Sequence, residues 1–413
     1  MVTKPNLLIV GEFNRKDYID LFKASQHYFN FYFLEYISPK EVKSNYYQNY
    51  GQAIFWGDFK SANDLLHITR PDKVIFLCIE SYNHVALNLA CKNANIPTYL
   101  LEHGLRADYI LGFDPKISPP LHQTTAKKLR YYGLVFQTIL ARIKNRLFLL
   151  NTIKVLPPAD AAFVKQFVKV RKHYNCLETF RRIKSDKRLA DIYISFTPQI
   201  FKVHQAHNSL PPDQRVIHIG VPYFDHLINI KPKAIEKAIL LIDQPLAEHG
   251  LLKWDQKYKE TFIAQFTTIC KSHHFKLYIK PHPKQDESLW LKAQQNSLCE
   301  LIDDDKLTKL APSIPVITGF YSTYLMPFAA FNYTTLLTLE NHPAGRLDVS
   351  KSFTDAGVAY PVYDLEELHN LLPNIEQLHA QQLTNKAKFT KDWMYKFDGK
   401  SGERLRDILL NDA

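Results

Sequence analysis

Four short stretches of this 413-residue chain combine residue types that could do chemistry. In YIKPHPKQD, residues 278–286, His282 stands between Pro281 and Pro283, with Lys280 and Lys284 beyond them. Proline fixes its own φ and restricts the residue before it, so the imidazole is held stiffly. A ring held this way can donate to a phosphate oxygen or protonate a leaving group, and the lysines add positive potential. In VITGFYSTYLMPFA, residues 316–329, a strand passes through Thr318 and Gly319 into the hydroxyl pair Ser322 and Thr323, and then into a helix. The pair reads as N-cap residues, which would place backbone N–H groups and a helix dipole before an anion without help from a metal. In LLEHGL, residues 100–105, a strand ends on Glu102, His103 and Gly104. A carboxylate or imidazole there can act as general base toward an acceptor hydroxyl, and the glycine permits a tight turn. A second Glu-His-Gly, residues 248–250, follows LLIDQPL, and spacing alone does not rank the two.

Other candidates carry less chemistry. Asp303–Asp305 has the look of a metal-binding DxD, but its place ahead of a helix makes it a capping cluster. Asn341–Pro343 reads as a loop, and His84, His218 and His226 as structural. The five cysteines show neither CxxC nor Cys/His spacing, so no disulfide framework and no metal site is expected.

The elements that must position these residues are short apolar strands alternating with helices. NLLIVG, FNFYFLEYI, DKVIFLCIE and PTYLLEHG are non-alternating apolar runs, as parallel strands covered on both faces require, with a helix over 81–95 among the connections. ADIYISFTPQ and RVIHIGVPYFD follow as later strands. INIKPKAIEK, residues 228–237, reads as a linker before a second α/β half that opens with AILLIDQPLAEHG. The expected class is therefore α/β, with two Rossmann-like domains facing a cleft and ligand loops at the carboxyl ends of their strands. The expected bounds are 1–230 for the first domain, with a basic helical insertion at about 123–189, then 238–390 for the second and 391–413 for a C-terminal helix. GEFNR after the first strand is not GxGxxG, so neither NAD nor FAD is expected.

Charge is unevenly spread. From Lys127 to Arg188 sixteen Lys/Arg face Asp160, Glu178 and Asp186, a balance of 16 − 3 = +13 against +11 for the whole chain. Such a patch attracts a polyanion: nucleic acid, anionic lipid or an acidic glycan. Within it, GLVFQTILARIKNRLFLL aligns Val135, Phe136, Ile139, Leu140, Ile143, Leu147 and Leu150 on one helical face beside Arg142, Lys144 and Arg146, which tilts the reading toward a membrane surface or an acidic acceptor. No nucleic-acid module is recognisable, so no nucleic-acid partner is expected. No apolar run is long enough to span a bilayer and the first residues read as a strand, so a cytoplasmic protein that could lie peripherally on the inner face of the cytoplasmic membrane is expected.

Two Rossmann-like halves, KPHP at a strand end, the strand-turn-helix GFYST, the DQPLAEHG loop and GVPYFD together resemble bacterial GT-B glycosyltransferases of surface-polysaccharide assembly. Those with a His-Pro motif are most similar: sialyl- and polysialyltransferases and capsule Kdo transferases, which use CMP-activated acidic sugars. The resemblance implies a metal-independent, inverting transfer of a sialic, pseudaminic or Kdo-type sugar to a glycan or lipid-linked acceptor in capsule or lipopolysaccharide synthesis, with no cofactor. It implies that His282 contacts the CMP phosphate and assists its departure, with Gln244, Pro245, Glu248, Lys280, Pro283, Thr318, Gly319, Ser322 and Thr323 around the donor. Glu102 falls where sialyltransferases place an acidic pair before glycine. His103 replaces the second acid, so either residue could be the base. That departure also resembles the CDP-glycerol and CDP-ribitol phosphotransferases, which pair a His-Gly base with a later His-Pro. A UDP- or GDP-sugar enzyme of the same architecture and a non-enzymatic polyanion-binding protein are the further alternatives.

Overall fold

The computed structural model describes residues 4–102, 125–222 and 236–411, with Asp225 and Ile228 between the last two. The chain divides into two compact units.

The first unit is built on a parallel sheet of seven strands in the order β3-β2-β1-β4-β5-β6-β7. These are β1 (Asn6–Val10), β2 (Asn30–Glu35), β3 (Gln52–Phe55), β4 (Lys73–Phe76), β5 (Thr98–Leu101), β6 (Ile192–Ser195) and β7 (Val216–His218). Leu7 through Val10 are all solvent-free, which is why the run does not alternate: helices cover both of its faces. The connection after β4 starts at Ser81, whose Oγ accepts from His84 N at 3.1 Å and caps the helix Tyr82–Asn93. Between β5 and β6 run the basic helices Ile139–Val155, Pro158–Arg171 and Cys176–Arg182. They place Phe148, Val164, Phe167 and Phe180 in the same core as Val74 and Phe76, so they are built onto the sheet. The helix Ser401–Asn411 also belongs to this unit, outside the 1–230 expected for it. Arg404 Nε donates to Ile219 O at 2.6 Å, and Lys73 Nζ donates to Leu409 O at 2.7 Å.

The second unit repeats the plan with six parallel strands ordered β10-β9-β8-β11-β12-β13. They are β8 (Ala238–Ile242), β9 (Lys276–Lys280), β10 (Glu300–Leu301), β11 (Val316–Gly319), β12 (Thr335–Leu339) and β13 (Tyr360–Val362). In each sheet the strand order reverses beside its first strand, between β1 and β4 and between β8 and β11, where α/β sheets open a crevice for ligands at the carboxyl ends. The edge strands β3 and β13 have no counterpart among the apolar runs read from the sequence. Each is three or four residues long and only partly buried.

All five cysteines are free thiols; Cys91 and Cys270 are buried, and Cys78, Cys176 and Cys299 are half-buried.

Candidate functional site

His282 follows the carboxyl end of β9 in a turn tied to the neighbouring strand. The Gln285 side chain closes the turn by accepting from His282 N at 3.0 Å through Oε1. Through Nε2 the same amide donates to Asp243 Oδ2. Asp243 stands directly after β8 and is buried; it also accepts from Trp290 Nε1 at 2.6 Å and from Gln244 N at 2.8 Å. Burial raises its pKa, while the Gln285 and Trp290 donors and the charge of Lys259 pull the other way. The imidazole is oriented within the turn as well: Lys284 N donates to His282 Nδ1 at 3.1 Å. A ring accepting at Nδ1 carries its proton on Nε2, so the neutral tautomer presents a donor.

Sequence reasoning missed Asp243, Gln285 and Trp290. The signal was present for Asp243 alone: an acid closing the wholly apolar run AILLI has to find donors or pay for its burial.

The other residues expected around a donor divide by role. Glu248 backs the same turn: its Oε1 accepts from Lys259 Nζ at 2.5 Å and from Asp286 N at 3.0 Å. Gly250, at φ 59°, ends the short helix Leu246–His249 in the left-handed region that favours glycine. Gln244 is half-buried and Pro245 buried at the head of the helix Leu246–His249, and Pro283 is exposed. Lys280 Nζ lies 3.2 Å from Asp304 Oδ1 and donates to Pro281 O at 3.3 Å. Tyr324 OH donates to the same Asp304 oxygen at 3.1 Å, so a carboxylate links the β9 turn to the turn after β11. Asp303 Oδ1 accepts from Lys306 N at 2.8 Å, which makes the acidic run the helix cap read from sequence.

Gly319 closes β11 because a Cβ there would sit 2.7 Å from Ile242 O. Thr318 is buried in the strand, and its Oγ1 has no hydrogen-bond partner among the described residues. Ser322 Oγ accepts from Tyr324 N at 3.2 Å and caps a single 3₁₀ turn, Thr323–Leu325. Only five α-helical residues follow, Met326–Ala330, so the expected dipole is that of about one turn, and Thr323 lies inside the turn instead of capping it. Asn341–Pro343 is a braced loop: His342 Nδ1 accepts from Trp254 Nε1 at 3.1 Å, and Nε2 stands 3.6 Å from the buried Glu340.

In the first unit Glu102 follows β5, with its backbone N donating to Ile194 O at 3.0 Å. Tyr18 OH donates to Leu101 O at 2.7 Å and approaches Glu102 O at 3.0 Å. The Glu102 side chain is solvent-free, with Oε1 at 3.4 Å from Nδ1 of His204, which is 2% exposed and comes from the helix Pro198–Asn208. His204 was not singled out in the sequence. His103 lies outside the described residues, as does His226, and the 228–237 linker does so for most of its length. Two of the expected structural histidines do pack internally: burial takes His84 down to about 4 and lowers His218 as well.

The basic patch is partly spent on structure. Arg142 Nη2 lies 2.7 Å from Glu41 Oε1, Lys187 Nζ lies 2.7 Å from Asp160 Oδ1, and the buried Arg188 stacks on Phe180 at 4.5 Å. Lys144 and Arg146 are exposed.

Two parallel Rossmann-like sheets in one chain, with polar groups gathered at the carboxyl ends of their strands, are the architecture of the GT-B fold. The chain belongs to the alpha-2,8-polysialyltransferase (POLYST) family, whose model matches residues 6–340. No curated protein matches the sequence. Among solved structures, the wall teichoic acid polymerase TagF is 13% identical with a TM-score of 0.54, covering 99% of this chain and 89% of that one. The spinosyn forosaminyltransferase SpnP is 10% identical with a TM-score of 0.51, covering 99% of this chain and 100% of that one. MurG of Acinetobacter baumannii is 10% identical with a TM-score of 0.50, covering 98% and 99%. At these identities the likeness is one of fold.

Proposed function

We propose that this glycosyltransferase moves an acidic sugar of the sialic, pseudaminic or Kdo type from a CMP-activated donor to a glycan acceptor of bacterial capsule or lipopolysaccharide synthesis. The observation that carries the reading is the His282 turn, whose backbone is fixed by Gln285 and Asp243 and whose imidazole accepts from Lys284 N at Nδ1, in a chain of the polysialyltransferase family. In this reading the acceptor hydroxyl loses its proton to His103 or Glu102, and its oxygen bonds to the anomeric carbon as the bond from that carbon to the CMP phosphate breaks. His282 Nε2–H donates to the departing phosphate, and the hydroxyls of Thr318, Ser322 and Thr323 share the developing charge. Because Glu102 is enclosed against His204, His103 is taken as the base in this reading. Displacement from the face opposite the nucleotide inverts the anomeric centre, and no metal is required. The enzyme works in the cytoplasm, on the inner surface of the membrane where a lipid-linked glycan grows.

A thermal-shift series with CMP, CDP, UDP and GDP tests this, since a ligand that binds only the folded state raises its melting temperature. CMP should stabilise most, and the shift should vanish in His282→Ala. A larger shift with CDP would move the assignment to polyol-phosphate transfer. Silence from both cytidine nucleotides would overturn it.

A further inference from the structure

The helix Ile139–Val155 has two apolar faces, and only one of them is packed. Toward the sheet it buries Phe148, whose ring lies 5.1 Å from that of Trp56, and Thr152, whose Oγ1 accepts from Ala62 N at 2.9 Å. One turn earlier Asn145 Oδ1 accepts from Asn83 Nδ2 at 2.7 Å, and Ala141 lies against Gly57. These four positions are spaced four, three and four residues apart, which is one side of a helix.

A second row runs along the opposite side. Phe136 (77% exposed), in the last turn of the preceding helix, is followed by Leu140 (74%), Ile143 (51%), Leu147 (47%) and Leu150 (46%). The spacing again alternates four and three, and at 3.6 residues per turn the two rows point about 150° apart. The exposed row extends for about 20 Å. Isolated apolar side chains on a surface need no explanation, but a continuous stripe of five large ones does.

The charges around the stripe point to its occupant. From 125 to 159 the sequence holds seven Lys/Arg and no Asp/Glu. Lys144 and Arg146 fall on opposite flanks of the row and Lys154 at its far end, all three exposed, while Arg142 is turned aside to Glu41. Cations on both flanks of an apolar stripe suit side chains that reach up to lipid phosphates while the stripe enters the acyl boundary. A second copy of the chain fits less well, because a two-fold contact would set the same cations against each other. No helix among the described residues is long and apolar enough to cross a membrane, so the geometry is that of an element lying on the surface.

We infer that this stripe docks the enzyme on an anionic bilayer, with Phe136, Leu140, Ile143, Leu147 and Leu150 below the headgroups and Lys144 and Arg146 at their phosphates. The inference rests on the membrane-surface part of the proposed function and is independent of the donor.

Flotation of the full chain with phosphatidylcholine vesicles, with and without phosphatidylglycerol, tests it. The wild type should float with the anionic vesicles and lose them in high salt. Lys144→Glu with Arg146→Glu should weaken that binding at least tenfold, and Leu140→Asp with Leu147→Asp should abolish it with the melting temperature kept. The inference is overturned if the wild type ignores anionic vesicles or if both double variants float as well as it does. It is also overturned if sedimentation shows a wild-type dimer that Leu140→Asp with Leu147→Asp makes monomeric, since the stripe would then belong to a second copy. CMP-induced stabilisation of the same samples is read separately, so the docking surface and the donor assignment can fail one without the other.

Discussion

Glu102 Oε1 lies 3.4 Å from His204 Nδ1, and both side chains are closed to solvent behind the carboxyl end of β5. A carboxylate in that position tunes its surroundings more readily than it meets a bulky acceptor. Glu102→Gln keeps the shape and removes the charge, so turnover should fall by about tenfold or more with donor affinity unchanged. His103→Ala should cost about 10² to 10⁴ in kcat, the range of a lost general base. Steady-state rates with a synthetic glycan acceptor check both; a His103→Ala enzyme with ordinary kcat would return the base to Glu102.

Asp243 accepts from three donors at once. Asp243→Asn keeps the volume but turns an amide N–H₂ toward some of them, leaving at least one buried donor without an acceptor. A loss of about 1 to 3 kcal/mol in denaturant unfolding is expected. Because Gln285 then loses its anchor, kcat should fall further than KM rises, a split that loss of stability alone would not produce.

His282→Ala removes the Nε2 donor without touching Asp243 or Gln285. The expected outcome is a folded protein with turnover down by at least about a hundredfold, since a donor aimed at developing charge is worth that much.

Lys386 is a buried lysine whose Nζ donates to two backbone carbonyls, Phe328 O at 3.4 Å and Ala329 O at 3.1 Å. Burial lowers its pKa to about 7, while the unfolded chain keeps the ordinary lysine value. Between those values the unfolded state binds one more proton than the native state, so this group adds stability as pH rises from about 7 to 10 and penalises folding below that window. Lys386→Met should therefore be more stable than the wild type at pH 6, by roughly 1 to 3 kcal/mol, and lose that advantage by pH 10. Paired urea melts at the two pH values check the sign; an advantage that grew with pH would refute it.

Strands such as β1, β4, β8 and β12 were legible because each is sealed along most of its length and so is dominated by apolar residues that do not alternate. β3 and β13 were not, since an edge strand of three or four residues needs only one or two buried side chains and leaves no run to read. Asp303 was readable as a cap, because a cap bonds to the residues that follow it. The stretch 133–150 was readable as amphipathic, but not which of its faces was packed.

The sequence by itself determined the two parallel sheets, the stiff Pro-His-Pro turn and the concentration of positive charge, because periodicity, proline geometry and charge are properties of neighbours along the chain. The tertiary structure decided which groups serve each other across long separations: Asp243 with Gln285, Glu102 with His204, Arg142 with Glu41, and the last helix with the first unit. Each of these joins residues brought together only when strands distant in sequence align in one sheet or a helix folds back over it. No local pattern encodes such a meeting, since its stabilisation comes from burial shared by both partners.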